Sequence, residues 1–108
     1  MSAFLVYVTT SDTMEAKRIG RDVVMARLAA CANVHAPITS FYWWDGAVQE
    51  DAEAVLILKT SAGQIEALTA RILALHGYDC PCVVALPIAG GNPAFLDWIA
   101  AETSQAAS

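Results

Sequence analysis

Residues 41–60 read FYWWDGAVQEDAEAVLILKT, and this stretch decides the fold because it contains most of one β-hairpin. Residues 32–44 alternate as an extended chain does, and Asp45-Gly46 is a dipeptide that favours a tight two-residue turn between antiparallel strands. The chain then returns through residues 52–60, which are rich in branched apolar side chains. The sequence therefore predicts that the second and third strands are neighbours in one sheet.

A strand and a helix are predicted on the amino-terminal side of this hairpin. Residues 3–9, AFLVYVT, form a short apolar run that is typical of a strand buried on both faces. Asp12 and Glu15 follow with the D-x-x-E spacing of a capping box. We expect an amphipathic helix over about residues 13–30, since apolar residues recur at helical spacing at Ala16, Ile19, Val23, Ala26 and Ala30.

The carboxyl-terminal side continues in the same way. Ser61 and Gln64 have capping-box spacing, and the helix that follows should end at Gly77, in the position after a helix that favours glycine. Residues 82–89 are predicted to form the fourth strand. Asn92-Pro93 then begins a last short helix, as N-cap and first helical residue, which runs to about residue 102.

The predicted order is therefore βαββαβ plus a terminal helix, which indicates an α+β sandwich of the ferredoxin-like type. One domain accounts for residues 1–108, with a polar and alanine-rich tail after Thr103 that we expect to be flexible. The second and fourth strands lie at the sheet edges in this topology, and Pro37 and Pro87 fall in these strands, where proline is tolerated. Both edges need protection, which pairing with another subunit would provide.

Composition favours an oligomer in the cytosol. Hydrophobic residues make up 56% of the 108 residues, and surplus apolar surface on so small a domain is ordinarily covered by a subunit interface; an unusually dry monomer core is the alternative. The net charge of −5 disfavours binding to nucleic acid. Prolines and glycines within residues 80–96 argue against a membrane span. Three irregularly spaced cysteines, and the lack of a signal-peptide pattern, indicate a reducing compartment.

Five residues are candidate metal ligands. His76 lies at a helix end, where its ring either caps the helix or binds a ligand. Cys80 and Cys82 would share one face of a strand, so both thiols could meet one soft ion such as Cu(I) or Zn(II), with Asp79 as a weaker oxygen donor. The alternative for this pair is two buried, inert thiols. Cys31 is expected to be a small core residue between the first helix and the second strand.

A candidate ligand cleft lies beside the hairpin. Tyr42, Trp43 and Trp44 precede the turn, and Glu53 and Lys59 lie on the facing strand. Aromatic rings of this kind stack on a ligand while charged groups fix its orientation. The same aromatic residues are equally suited to subunit packing, so both interpretations stay open.

The sequence disfavours an enzyme. It contains no glycine-rich phosphate loop, no G-x-S-x-G and no H-E-x-x-H. A cysteine and a histidine are formally available as nucleophile and base, but no third group is positioned to orient them. Acylphosphatases share the βαββαβ order, yet they need an anion-binding arginine after the first strand, where this chain has the acidic loop TTSD at residues 9–12.

Five stretches carry a closer resemblance: TTSD at 9–12, RLAACAN at 27–33, YWWDG at 42–46, HGYDCP at 76–81 and GNPAFLDW at 91–98. Together they resemble the CutA family of divalent-cation tolerance proteins, in register from residue 4 to about 103. The resemblance implies a ferredoxin-like homotrimer of the bacterial cytoplasm, similar in architecture to PII signalling proteins. It also implies a role in tolerance of copper and other divalent metals, with no required cofactor.

The chain departs from the family around its candidate metal site. The family usually reads His-Pro-Tyr-Glu-x-Pro-Glu, and this chain has other residues at the first Pro and at both Glu positions, namely Gly77, Asp79 and Cys82. Some members place a cysteine where Val8 stands and a second histidine where Leu75 stands, and both are associated with copper. Only His76 matches that set, while the family match adds a metal role to the alternatives for Cys31.

Three functions follow from the sequence. The first is a non-enzymatic homotrimer that acts in the response to divalent metals and binds copper. The second is a PII-like module that binds a small anionic metabolite in the clefts between subunits. The third is a structural trimer that scaffolds a partner protein.

Overall fold

The computed structural model describes residues 2–104, so the predicted flexible tail lies, from residue 105 onward, outside the described residues. The predicted order of elements is confirmed. It is β1 (Ala3–Thr10), α1 (Thr13–Met25), β2 (Cys31–Trp44), β3 (Ala47–Ser61), a short 3-10 turn (Ala62–Gln64), α2 (Ile65–Leu75), β4 (Val83–Pro87) and α3 (Pro93–Thr103). In this part of the chain, no helix has the length and apolar character needed to cross a bilayer.

The four strands form one antiparallel sheet in the order β2-β3-β1-β4. This is the ferredoxin-like order, with β2 and β4 at the edges as the prolines indicate. Pro37 lies where the β2–β3 register shifts, between His35 and Ile38, and Pro87 is the last residue of β4. The hairpin turn is also confirmed, because Asp45 and Gly46 both have positive φ (54° and 77°), as a type I′ turn requires.

Helices α1 and α2 cover one face of the sheet and form the core with it. Strand residues at alternate positions are buried against buried helix residues, and the set is Val6, Val8, Ala54, Leu56, Leu58, Ile19, Val23, Leu68 and Ile72. The opposite face carries the other alternate positions. Tyr7 and Ile57 are partly buried there, while Val84 and Leu86 of β4 are each 49% exposed. Helix α3 packs against the β1–β3 part of this face, so the β4 part is what remains open and apolar in the single chain.

Helix α1 ends at Met25 rather than near residue 30, so that boundary prediction is wrong. Ala26 is the C-cap residue, and Arg27 follows with φ 62°. The N–H of Arg27 donates to the carbonyl of Val24 and the N–H of Leu28 to that of Val23, each over 3.0 Å. These two bonds form a Schellman motif, which normally places glycine at the left-handed position. Arginine stands there instead, so the sequence carried no visible stop signal.

The two predicted capping boxes differ in outcome. The Asp12 side chain caps α1 by accepting from the N–H of Glu15 (2.8 Å), but Glu15 Oε1 accepts from the N–H of Ser11 (3.0 Å) instead of Asp12. The second box is absent at residues 61–64, because Ser61 Oγ bonds Thr103 Oγ1 (2.8 Å) and Gln64 Nε2 donates to the Thr103 carbonyl (2.7 Å). These side chains anchor α3 to the sheet rather than capping α2.

Three smaller boundary predictions also need correction. His76 is the C-cap of α2 with extended backbone (φ −80°, ψ 143°), and Gly77 does not adopt the left-handed conformation that we expected of it. Strand β3 begins at Ala47 rather than at residue 52, which lengthens the hairpin. Strand β4 is shorter than predicted and ends at Pro87. The predicted start of α3 is confirmed, since Asn92 Oδ1 accepts from the N–H of Ala94 (3.1 Å).

Candidate functional site

A cleft of about 580 Å³ lies between the β2–β3 hairpin and the segment that joins α2 to β4. Its walls come from β1, β2, β3 and that joining segment. The lining residues are Thr9, Ser40, Tyr42, Trp44, Glu53, Gly77, Tyr78, Asp79, Cys80 and Cys82. A volume of this size is typical of sites for small ligands.

The hairpin wall is set by the alternation of side chains along β2. Ser40, Tyr42 and Trp44 lie on one face of the strand, and the register shift between His35 and Ile38 places this face beside Glu53 of β3. Tyr42 is 39% exposed and Trp44 53% exposed, so both rings are open to the cleft. Trp43 points to the other face and is 75% exposed. The alternation of side chains along β2 therefore places Trp44, but not the adjacent Trp43, at the cleft.

The opposite wall is held in place by His76, whose side chain is fully buried. His76 Nε2 lies 2.7 Å from the carbonyl of Thr9, and Nδ1 accepts from the N–H of Tyr78 over 3.1 Å. The tautomer with a proton on Nε2 satisfies both bonds and leaves neither nitrogen with a lone pair for a metal. The ring also contacts the Tyr78 ring, with centroids 4.7 Å apart. His76 thus fastens the joining segment to β1.

Glu15 of α1 supports the same segment. Its Oε2 accepts from the N–H of Gly77 over 2.9 Å, and lies 4.0 Å from His76 Nδ1. Burial works to raise the pKa of Glu15, but hydrogen bonds, chiefly from the N–H groups of Ser11 and Gly77, act against burial, and the pKa is lowered from 4.5. Glu15 is therefore a carboxylate at neutral pH.

Two phenol groups meet carboxylates at the cleft. The hydroxyl of Tyr78 donates to Glu53 Oε2 over 2.7 Å, which joins the two walls. Burial and this bond raise the pKa of Tyr78 far above its usual value. The hydroxyl of Tyr42 donates to Asp51, and this bond raises the pKa of Tyr42. Both phenols therefore stay protonated, and the charge at the cleft comes from carboxylates.

Cys80 and Cys82 lie in the irregular segment that precedes β4, so the prediction that they share one face of a strand is wrong. They are exposed, which also overturns the alternative of two buried thiols. Nevertheless both line the same cleft, together with Asp79. The fold therefore gathers three of the five candidate metal ligands on one wall.

The other candidates lie elsewhere. Cys31 is half-buried and lines a separate groove between α1 and β2. Lys59 does not line the cleft, and its Nζ donates to Asn33 Oδ1 on β2. Over residues 2–104, no group of three or more His, Cys, Asp and Glu side chains has the arrangement of a metal site. The candidate metal donors on the wall of the joining segment are thus two thiols and one carboxylate, without a preformed cage.

Four lining residues were not among the sequence-based candidates: Thr9, Ser40, Gly77 and Tyr78. The sequence gives a weak indication of Ser40, because it lies two residues before Tyr42 and four before Trp44 and therefore shares their face of the strand. Tyr78 lies inside the HGYDCP stretch between predicted ligands, so its position offered a signal that we did not use. Thr9 and Gly77 reach the cleft only through the packing of β1 against the joining segment.

The sheet order, with both crossover helices on one face, defines an α+β protein of the ferredoxin-like class, here with a long hairpin and a third helix. Residues 4–102 match the family described as CutA1 divalent ion tolerance protein. The chain therefore belongs to the CutA1 family.

Relatives agree over nearly the whole chain. A divalent-cation tolerance protein CutA of Thermus thermophilus is 42% identical over 99 residues, which cover 92% of this chain and 96% of that protein. Its solved structure superposes with a TM-score of 0.91, covering 94% and 98% of the two chains. The CutA1 structure from Oryza sativa is 44% identical with a TM-score of 0.92, covering 95% and 94%. The chain spans 58% of the length of the chloroplastic CutA 1 protein of rice.

Proposed function

We propose that this chain is a non-enzymatic protein of divalent-metal tolerance that binds a soft metal ion, Cu(I) in particular, at the cleft. The observation that carries the proposal is that Cys80 and Cys82 are both exposed and line one cleft. Thiolates are soft ligands that favour Cu(I) and Zn(II) over hard metal ions. Membership of the CutA1 family supports the metal role.

The donor set favours exchange over permanent storage. Two thiols with Asp79 as a weak third donor fall short of the four ligands that hold structural zinc. His76 holds the joining segment against β1 and is not itself a metal ligand, because both ring nitrogens are already hydrogen-bonded. A site of this kind takes up a soft ion when its concentration rises and releases it again, as a tolerance protein requires.

We propose the homotrimer as the functional form. The open face of the sheet carries Leu86 paired with Leu5, and Val84 paired with Tyr7, in two apolar rows. Apolar rows of this extent are normally covered in solution. The edge strands β2 and β4 also present unpaired backbone groups that a neighbouring subunit would satisfy.

We propose a reducing compartment, the cytoplasm, as the location. Three thiols, two of them exposed, persist best where disulfide formation is suppressed. Plant relatives are named as chloroplastic proteins, and fractionation of the native source tests the proposal for this chain.

An anionic metabolite fits the cleft of the single chain less well than a cation does. Glu53 and Asp79 line it, and among the described residues no lysine or arginine does. Lys59, which was a candidate cleft residue, is engaged with Asn33 instead. The charge of the cleft therefore favours positively charged ligands.

Competition for Cu(I) against a chromophoric chelator tests the metal proposal. Replacing both Cys80 and Cys82 with serine should weaken Cu(I) binding by more than tenfold, since both soft donors are lost. Binding should also weaken as the pH falls, because thiolate ligation releases protons. Cys31→Ser is the matched control, since Cys31 lies in a different groove. Equal affinity of the double variant and the parent would show that the thiols are not ligands.

A further inference from the structure

The cleft has aromatic walls on both sides. Tyr42 and Trp44 project from the same face of β2, and Tyr78 lines the cleft from the joining segment. Each of the three residues is between 36% and 53% exposed in the single chain. Tyr78 is further fixed by its hydroxyl bond to Glu53 (2.7 Å) and by its contact with the His76 ring. The Tyr78 ring is thus held in place by contacts within the protein itself.

The same cleft is negatively charged. Glu53 and Asp79 line it, Asp51 lies next to it through the hydroxyl of Tyr42, and within residues 2–104 no lysine or arginine contributes to the lining. Aromatic faces carry negative quadrupole potential, which adds to the attraction of the carboxylates. Three rings and two carboxylates around one cavity are therefore complementary to a positive charge.

We propose that this cleft binds a small organic cation, an alkylated ammonium ion, between Tyr42, Trp44 and Tyr78. Small inorganic cations hold their water tightly and gain little from ring faces, whereas an alkylammonium ion is weakly hydrated and has apolar methyl groups that pack on the rings. The carboxylates of Glu53 and Asp79 balance its charge. A cavity of about 580 Å³ accommodates such an ion together with the rest of a small molecule.

This inference goes beyond metal tolerance and does not depend on it. The rings and Glu53 carry the ammonium site, whereas the thiols of Cys80 and Cys82 carry the metal site, although both line one cleft. The double cysteine-to-serine variant should therefore lose Cu(I) binding and keep ammonium binding. A Trp44→Leu variant should show the reverse, which separates the failure of one proposal from the failure of the other.

Tetramethylammonium and tert-butanol are suitable probes, because they have similar size and apolar surface but differ in charge. We expect tetramethylammonium to change the tryptophan fluorescence saturably and to bind at least about tenfold more tightly than tert-butanol, as expected for a cation between aromatic rings. Absence of saturable binding by tetramethylammonium, or equal binding of tert-butanol, would overturn the proposal.

Two pairs of variants locate the site. Glu53→Gln should weaken tetramethylammonium binding several-fold, while Glu50→Gln, a change of the same size on the same strand outside the cleft lining, should not. Trp44→Leu should weaken it by about tenfold, whereas Trp43→Leu, on the adjacent residue of the other face, should leave it unchanged. Calorimetry gives the affinity of variants that have lost a tryptophan. If the Glu50 and Glu53 variants bind alike, the ion does not lie in this cleft.

Discussion

At the scale of single residues, Arg27 combines an unfavourable backbone conformation with a stabilising side-chain contact. Its φ of 62° is unfavourable for a residue with a Cβ atom. The guanidinium, however, donates to Glu102 Oε2 over 2.5 Å and ties the end of α1 to α3. The arginine therefore stays where a glycine would ordinarily close the helix.

Arg27→Ala should be less stable than Arg27→Gly by about 1–2 kcal/mol, since both lose the ion pair but only alanine keeps the conformational penalty. Urea unfolding at one protein concentration, followed by circular dichroism, measures the difference. Equal stability of the two variants would mean that residue 27 does not hold a left-handed backbone in solution.

Glu15 gives a pH-dependent prediction at the same scale. Its pKa is lowered in the folded protein, so its contribution to stability is fully present above the usual value of 4.5 and is lost as the pH falls through the lower folded-state value. Glu15→Gln removes this titration. The free energy of unfolding should therefore fall less steeply between pH 5 and about pH 3 in this variant than in the parent.

Glu50→Gln provides the control for this experiment, because Glu50 is an exposed residue of β3, away from any helix end. Its variant should keep the parent's pH dependence. A parental pH profile for Glu15→Gln would show that the bonds from Ser11 and Gly77 do not depress the carboxyl pKa in solution.

At the scale of elements, Gly20 sets how closely α1 approaches the sheet. A Cβ atom at this position would lie 2.9 Å from Leu56 Cδ1 and 3.3 Å from Ala32 Cβ. Leu56 is fully buried, so it has little room to move. Gly20→Ala should therefore destabilise the protein by about 1–3 kcal/mol through overpacking, despite the better helix propensity of alanine.

Gly63→Ala is the matched control, because an added Cβ meets nothing within 4 Å there. This variant should be neutral or slightly more stable, since alanine restricts the unfolded chain. Denaturant unfolding of both variants against the parent measures the pair. A Gly20→Ala protein as stable as the Gly63→Ala protein would mean that α1 tolerates a larger separation from β3.

At the scale of the whole molecule, the open face of the sheet determines the assembly that we propose. Leu86 of β4 and Leu73 of α2 are equally exposed, at 49% each, but lie on different surfaces. Leu86→Glu should reduce the mass from about three times 11.5 kDa toward the monomer, because a buried charge at an apolar interface is unfavourable. Leu73→Glu should leave the mass unchanged.

Light scattering after size exclusion measures both masses, and circular dichroism confirms that each variant is folded. A parent protein that stays monomeric at micromolar concentration would contradict the trimer. A trimer that survives Leu86→Glu would place the interface on another surface.

The sequence by itself determined the features that depend on local sterics and periodicity. Asp45-Gly46 fixed the hairpin, Asn92-Pro93 the start of α3, and the prolines marked the edge strands. Two helix ends were predicted wrongly. The left-handed residue that ends α1 is Arg27 rather than a glycine, and α2 ends at His76 in an extended conformation rather than at a left-handed Gly77. That the aromatic residues of the hairpin and the cysteines before β4 meet at one cleft was decided only by the tertiary structure.

The register shift in β2 decides which aromatic residues face Glu53, and the packing of His76 against β1 carries Cys80 and Cys82 to the same cavity. Both contacts join residues that are distant along the chain. Local propensity constrains the backbone of a few neighbouring residues, whereas the choice of a partner across the fold depends on how whole elements pack.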